Sequence, residues 1–296
     1  MNKLVIIGWG RMGMTHASII NGLYPNKFEV IIVEPNKRIR LLTRASLGYK
    51  VVSDVSKVTL SDALVLITTP PFLHRQLTNV VLSQGVKSVF VEKPFGLHDK
   101  IVENNSKISV GYVLRFTEVA QKLKKLINEE GCIGITLDYS SNTLTKPPKG
   151  WRNSKYGGVL NEMGSHLIDL LMYLTDAHDF RIQESKIMSV ISDVDDIVSV
   201  KGLIGGALFE LNLNWVNKNY RKPVWSGVIE TTKQKVNFDQ QSIDGGFIPN
   251  EVDYYVRGRE FSMQMQHFIE SDKSITCSSS QANLVHKIIS TIKSKK

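Results

Sequence analysis

Through the first third of the chain, short continuous apolar runs alternate with amphipathic stretches. Leu4–Ile7, Phe28–Val33, Ala63–Ile67 and Ser88–Val91 have the pattern of strands buried on both faces. Between the first two, Met12, His16, Ile19, Ile20 and Leu23 recur at helical spacing, with Gly22 near the end. Pro35–Leu47 reads as a basic helix, Tyr49–Ser53 as a short strand and Phe72–Gln84 as a helix. Strands alternating with helices at this spacing predict an α/β unit with a doubly wound parallel sheet. From about Ile135 the pattern changes. Phe209–Trp215 alternates apolar and polar with period two, and similar runs occur at Arg181–Ser192, Ile197–Leu203 and Val224–Phe238. These predict an α+β domain with an antiparallel sheet and one long helix. Gln281–Lys293 is expected to be the final helix. The predicted domains are 1–114 and 115–296, with the helix at 281–293 able to pack back on the first.

The first strand runs into Gly8-Trp9-Gly10-Arg11-Met12-Gly13, a G-x-G-x-x-G that opens the first helix. An isolated motif of this kind can be an ordinary glycine turn; its place between strand and helix is what points to a dinucleotide. Gly8 permits the tight turn, Gly10 lets backbone approach a pyrophosphate, and Gly13 lets helix and strand pack closely. The helix N-terminus adds free N–H groups and partial positive charge. The whole run from Gly8 through Trp9, Gly10, Arg11 and Met12 to Gly13 is therefore assigned to the cofactor. Glu34 closes the second strand about 20 residues beyond Gly13, where a carboxylate accepts the ribose hydroxyls. Its charge favours NAD, while Lys37 and Arg38 leave NADP open. Ligands sit at the carboxyl ends of such strands, so Thr68, Thr69, Pro70 and the Glu92–Gly96 segment belong beside the cofactor. His74 is expected to close the loop beneath it.

The chain has 296 residues and a formal net charge of +9, with the cations scattered. No zinc-finger, RNP or basic-helix signature accompanies them, so the charge is read as attraction for anionic small ligands rather than nucleic acid. Lys293, Lys295 and Lys296 are expected to form a solvated tail. Cys132 and Cys277, the only cysteines, show neither disulfide nor metal-ligand spacing and suit a reducing cytoplasm. The first apolar run is too short for a signal sequence, and no stretch reaches membrane-spanning length.

Two places could carry chemistry. Lys93, in Glu92-Lys93-Pro94-Phe95-Gly96, stands between a strand end and a proline. It is either an ammonium held near the reacting end of a cofactor or a surface lysine before a turn. In Gly157–Leu174, Leu160, Met163, Leu167, Leu170, Leu171 and Leu174 cluster on one side of a helix. Glu162, His166, Asp169 and Tyr173 line another. That polar row is either a site-lining face or a solvated stripe.

Five elements in order then resemble one family. They are Gly8–Gly13, Thr69-Pro70-Pro71-Phe72-Leu73-His74, Glu92-Lys93-Pro94, Gly111-Tyr112-Val113-Leu114-Arg115-Phe116 and the Gly157–Asp169 run. Together they look like the glucose-fructose oxidoreductase / inositol dehydrogenase (Gfo/Idh/MocA) family. The resemblance implies a Rossmann domain followed by an open-faced, mostly antiparallel sheet that often forms a homodimer or homotetramer interface. It implies hydride transfer between NAD(P) and a hydroxyl carbon of a sugar, polyol or related compound. It makes Lys93 the lysine of the E-K-P element and His166 the catalytic histidine. Glu162 then stands where the usual aspartate would be, and Trp151-Arg152 resembles a W-R pair that could clamp substrate. Two departures are the longer side chain at Glu162, which could shift the site by about an ångström, and the short segment between Gly96 and Ser106, with room for only a turn or two of helix.

On this reading His166 accepts the hydroxyl proton, Lys93 stabilises the oxygen's developing charge and Glu162 orients the imidazole or a substrate hydroxyl. Arg115, Trp151, Arg152 and Asp169 are candidates for the rest of the substrate. The alternatives are a salt bridge, a core tryptophan and a solvated carboxylate. Competing functions are a non-catalytic cofactor-binding regulator and a reductase of a non-sugar acceptor.

Overall fold

The computed structural model describes residues 2–95, 105–248 and 258–295. By compactness the chain divides into two units, Met1–Val113 with Glu251–Asn283, and Leu114–Asn250 with Leu284–Lys296.

In the first unit, β1 (Asn2–Ile7), α1 (Arg11–Leu23), β2 (Phe28–Val33), α2 (Lys37–Leu47), β3 (Lys50–Val52), β4 (Leu64–Ile67), α3 (His74–Leu82), β5 (Ser88–Val91) and β6 (Ile108–Val110) follow in order. The strands form one six-stranded sheet, β3-β2-β1-β4-β5-β6, parallel throughout. Chain order reverses between β1 and β4, the crevice where such sheets bind ligands. The continuous apolar runs are buried because helices cover both faces: Leu4, Ile6, Leu66 and Phe90 have no exposed surface. Asn36 begins α2 by accepting from the Arg38 and Ile39 amides, and Gly48 ends it in the left-handed region. Gly96 and the turn of helix expected before Ser106 lie outside the described residues.

The second unit holds α4 (Glu118–Glu130), β7 (Gly134–Ser140), α5 (Ser165–Thr175), β8 (Phe180–Met188), β9 (Ile197–Ile204), β10 (Ala207–Asn214), β11 (Val224–Glu230), β12 (Lys235–Asp239), β13 (Ser242–Ile243) and β14 (Gly246–Phe247). Its eight-stranded sheet runs β14-β13-β12-β11-β7-β10-β9-β8. All pairings are antiparallel except β7 with β10 at the centre. Along β7, Ile135, Leu137 and Tyr139 point into the core while their neighbours stay partly exposed.

The sequence reading ran the second domain unbroken from 115 to 296. Instead α6 (Arg259–Glu270) returns to the first unit, where its fully buried Met265 and Phe268 join Leu4, Ile19 and Phe90 in one core. Helices α4 and α6 were not expected, although Val119, Leu123 and Ile127 on α4 repeat at four-residue spacing behind a Thr117 cap. The last helix, α7, spans Ser279–Ser294. Of the lysines expected in a solvated tail, Lys293 and the exposed Lys295 have partners, and Lys296 lies outside the described residues. Lys293 Nζ lies 3.2 Å from Asp195 Oδ1, and Lys295 Nζ donates to the Ile182 carbonyl at 2.5 Å.

Candidate active site

The turn after β1 has the geometry its glycines require. Gly8 sits at φ +98°, and a Cβ there would lie 2.9 Å from the Thr69 nitrogen. A Cβ at Gly13 would lie 2.3 Å from the Gly8 carbonyl oxygen, so this glycine sets the approach of α1 to β1. At Gly10 a Cβ would meet no atom within 4 Å. Packing does not demand that third glycine, whereas a pyrophosphate lying on the backbone at the N-terminus of α1 does. Thr68 braces the turn, its hydroxyl donating to the Gly8 carbonyl at 2.6 Å. Trp9 is buried and meets Tyr49 edge to face, Arg11 is exposed and Met12 half-buried.

Glu34 ends β2 with its carboxylate turned back on the turn. Oε2 accepts from the Trp9 amide at 3.2 Å and Oε1 from the Asn36 amide at 2.8 Å. Each oxygen keeps a further lone pair for a ribose hydroxyl. The residues present therefore suit a dinucleotide, whose phosphates Gly8–Gly13 would hold and whose ribose Glu34 would hold.

Glu92, expected beside the cofactor, and His74, expected to close the loop beneath it, are both buried and hold the loops after β4 and β5. His16 Nε2 donates to Glu92 Oε1 at 2.6 Å, and Glu92 Oε2 accepts from the Lys93 amide at 3.3 Å. Burial raises the Glu92 carboxyl, but the His16 hydrogen bond and the charges of His16, Lys93 and His74 bring it below its ordinary value. His74 lies between two carbonyl oxygens, 3.0 Å from Pro94 and 2.8 Å from Thr69. It thereby ties the loop after β4 to the loop after β5. Burial pushes its pKa down, only partly countered by those two carbonyls. The half-buried Lys93 precedes a cis peptide to Pro94, in a turn fixed on both sides.

The second group of residues stands on α5 and the turn before it. Sequence spacing treated Leu160–Leu174 as one α-helix. The structure instead makes Leu160–Gly164 a π-helical turn that passes into α5 at Ser165. Such turns are rare and concentrate at functional sites. Gly164 lies over the sheet, where a Cβ would come within 2.7 Å of Leu213 Cδ1 on β10. Helix α5 is buried nearly all round rather than along one stripe. His166 keeps 9% of its surface and Asp169 none.

Asp169 and Arg115, considered for substrate, pair with each other. Asp169 takes both Nε and Nη2 of Arg115 at 2.7 Å, the two side chains being 0% and 2% exposed. The Arg115 guanidinium also lies 5.3 Å from the centre of the Tyr173 ring, whose hydroxyl accepts from Gln121 at 2.8 Å. This cluster fastens α5 to the segment before α4.

Trp151, Arg152 and Glu162 do come together. Arg152 Nε lies 3.5 Å from Glu162 Oε2, with its guanidinium 5.4 Å from the Trp151 ring. Arg152 is half exposed and Glu162 largely covered. Spacing alone could not pair residues on a loop and a helix. Near Glu162, Tyr139 donates to Ser141 at 3.1 Å, and Ser141 lies 3.1 Å from Thr143, a hydroxyl chain the sequence reading missed. Burial raises the Tyr139 phenol, with the Glu162 charge adding to the effect. Hydroxyls at every second position, 139, 141 and 143, running off the end of β7 were the available signal.

The first unit is thus a Rossmann domain with a dinucleotide-type phosphate turn, and the second a mixed, mostly antiparallel sheet carrying a buried histidine helix. Residues 2–107 match the family model described as oxidoreductase family, NAD-binding Rossmann fold (GFO_IDH_MocA). Over these residues the chain resembles the Gfo/Idh/MocA family to which the ordered motifs pointed. Glucose-6-phosphate 3-dehydrogenase of Bacillus subtilis is 26% identical over 193 residues, 60% of this chain and 55% of that protein. The match therefore spans about half the length of that curated relative. Among solved structures, levoglucosan dehydrogenase in complex with NADH superposes with a TM-score of 0.80 at 20% identity, covering 99% of this chain and 96% of the other. The WlbA dehydrogenase from Bordetella pertussis, in complex with NADH and UDP-GlcNAcA, gives 0.77 at 16% identity over 99% and 95%. At these identities the likeness is one of fold.

Proposed function

We propose that the chain is an NAD-dependent dehydrogenase or reductase acting on a hydroxyl or keto carbon of a sugar, polyol or nucleotide sugar, with NADP as a possible alternative cofactor. The observation that carries this reading is the fixed setting of Lys93. On a family NAD-binding domain, at a strand's carboxyl end, a lysine sits in a turn held by Glu92, His16 and His74. A surface lysine needs no such framing. The dehydrogenases acting on glucose 6-phosphate and levoglucosan among its relatives support the sugar class.

Bound nicotinamide supplies the hydride acceptor or donor. His166 takes the proton of the substrate hydroxyl in oxidation and returns it in reduction. Lys93 donates a hydrogen bond to that oxygen and stabilises its charge. Glu162, already engaged with Arg152, orients a substrate hydroxyl or the imidazole, and Trp151 with Arg152 covers the sugar. Arg115 and Asp169 act by holding α5.

A homodimer or homotetramer through the second unit's sheet is part of the proposal; the exposed Ile133 and Leu208 support it. No helix among the described residues is long and apolar enough to cross a membrane. The two free cysteines suit a reducing cytoplasm.

The test is reduced-nicotinamide absorbance with a panel of sugars, sugar phosphates and nucleotide sugars. Lys93→Met and His166→Ala should each lower kcat by about 10²–10⁴-fold while leaving NAD affinity nearly unchanged. NAD binding without turnover, indifferent to both changes, would favour a regulatory protein instead.

A further inference from the structure

The π turn that presents Glu162 has no capping side chain of its own, since Val159 precedes it. The first N–H groups of a helix need acceptors, and here they come from the loop before β9. The Val159 amide donates to the Asp195 carbonyl at 2.8 Å, and the Leu160 amide to Asp195 Oδ2 at 2.7 Å. The other carboxylate oxygen of Asp195, which is buried, faces Lys293 of α7 at 3.2 Å. Gly158 makes this approach possible. A Cβ there would lie 2.3 Å from Asp195 Oδ1.

The same loop holds the arginine that meets Glu162. Asp193 Oδ2 accepts from Asn153 Nδ2 at 2.6 Å, and the Asp193 amide donates to Asn153 Oδ1 at 3.1 Å. Asn153 directly follows Arg152. Asp196 in turn makes the loop rigid, accepting from the Val190, Ile191 and Ser192 amides and from the Trp215 indole. Within four residues, then, one aspartate grips the turn carrying Arg152, a second grips the turn carrying Glu162, and a third pins the loop to the sheet.

We propose that the Asp193–Asp196 loop, with Asp195 as its centre and Lys293 as its outer brace, positions Glu162 and His166 for the reaction. The inference rests on the proposed roles of those two residues. Asp195 and Lys293 are positioning residues: they act on the site through Leu160, the start of the turn on which Glu162 sits.

The experiment uses the full chain with Asp195→Ala, Asp195→Asn, Lys293→Met and Lys293→Arg. It reads kcat and KM for the best sugar of the panel, NAD affinity, melting temperature and hydrogen exchange of the Leu160 amide. Asp195→Ala should lower kcat at least tenfold, speed Leu160 exchange at least tenfold and leave NAD affinity unchanged. Asp195→Asn keeps an acceptor for Leu160 and should recover most of the loss. Lys293→Met should lower kcat severalfold and Lys293→Arg restore it. If the melting temperature falls across the set while kcat stays at the wild-type value, the loop is only structural and the proposal is overturned. Unchanged exchange at Leu160 overturns it equally, and if Asp195→Ala does not fold, Asp195→Asn and Lys293→Met decide by the same readings. Should the wild-type protein turn over no sugar, the functional reading fails by itself, and the Leu160 exchange rates still decide whether Asp195 anchors the turn.

Discussion

The buried pair of Arg115 and Asp169 allows a quantitative test of what holds the histidine helix. In Asp169→Asn the side-chain shape is kept and one charge removed. The guanidinium is left in a site where it has 2% of its surface exposed and has lost the carboxylate that met it with two contacts of 2.7 Å. Breaking one side of a buried ion pair costs about 3–5 kcal/mol, because the remaining charge is uncompensated. The Tyr173 ring, 5.3 Å away, offsets a fraction of this, so the lower part of that range is expected. For a unit of this size, each kcal/mol moves the melting temperature by roughly 2–4 °C, giving a fall of about 6–12 °C. The assay is thermal and urea unfolding followed through a signal from the second unit, such as Trp215 or Trp225 fluorescence. The double variant Arg115→Met with Asp169→Leu removes both charges and should recover most of the loss. If Asp169→Asn melts within about 1 kcal/mol of wild type while KM for the sugar rises, the pair is not a structural clasp, and Asp169 belongs with the substrate after all.

Three further outcomes follow from the geometry. The Asp196 carboxyl is held at about 2 against an ordinary 3.8: burial raises it, but the Ser192 hydroxyl, the Ile191 and Ser192 amides and the Trp215 indole outweigh that. A depressed carboxyl contributes stability that is present above its unfolded value and lost as pH falls towards the folded one. Part of the stability should therefore disappear between roughly pH 4 and pH 2, and Asp196→Asn should flatten that slope in acid-unfolding curves. Gly13→Ala should lose about 1–3 kcal/mol of stability from overpacking against the Gly8 carbonyl, whereas Gly10→Ala should melt normally and lose NAD affinity in calorimetry; a normal Gly13→Ala protein would refute the helix–strand contact. Glu34→Ala should raise the affinity for NADP relative to NAD, measured by fluorescence titration, and an unchanged ratio would sink the ribose assignment.

Most of the first unit was legible because its signals are local. Phe28–Val33 and Ser88–Val91 are short, mostly apolar runs, and their limits agree with β2 and β5. The turn at Gly8–Gly13 announces itself by residue type, since no other residue fits at φ +98° beside a backbone nitrogen. What escaped was set by distant partners. Nothing near Glu92 in sequence says that His16 will take its carboxylate, and nothing near Asp169 says that Arg115 will. The return of α6 to the first core depends on Met265 and Phe268 finding Phe90, a contact that periodicity cannot foresee. The Lys293 brace was hidden for the same reason: a run of terminal lysines looks solvated until Asp195 is seen beside it.

The π turn at Leu160–Gly164 makes residue count, as well as residue identity, a determinant of how the two halves of the helix are phased. Such a turn closes over five residues where an α turn closes over four. Deleting a single residue there would let the helix continue in α form, leave α5 seated by Asp169, and swing Glu162 by about 100° about the axis. A one-residue indel in this stretch would thus change which neighbour Glu162 meets while sparing the scaffold, a route by which the site could change its chemistry without changing its fold.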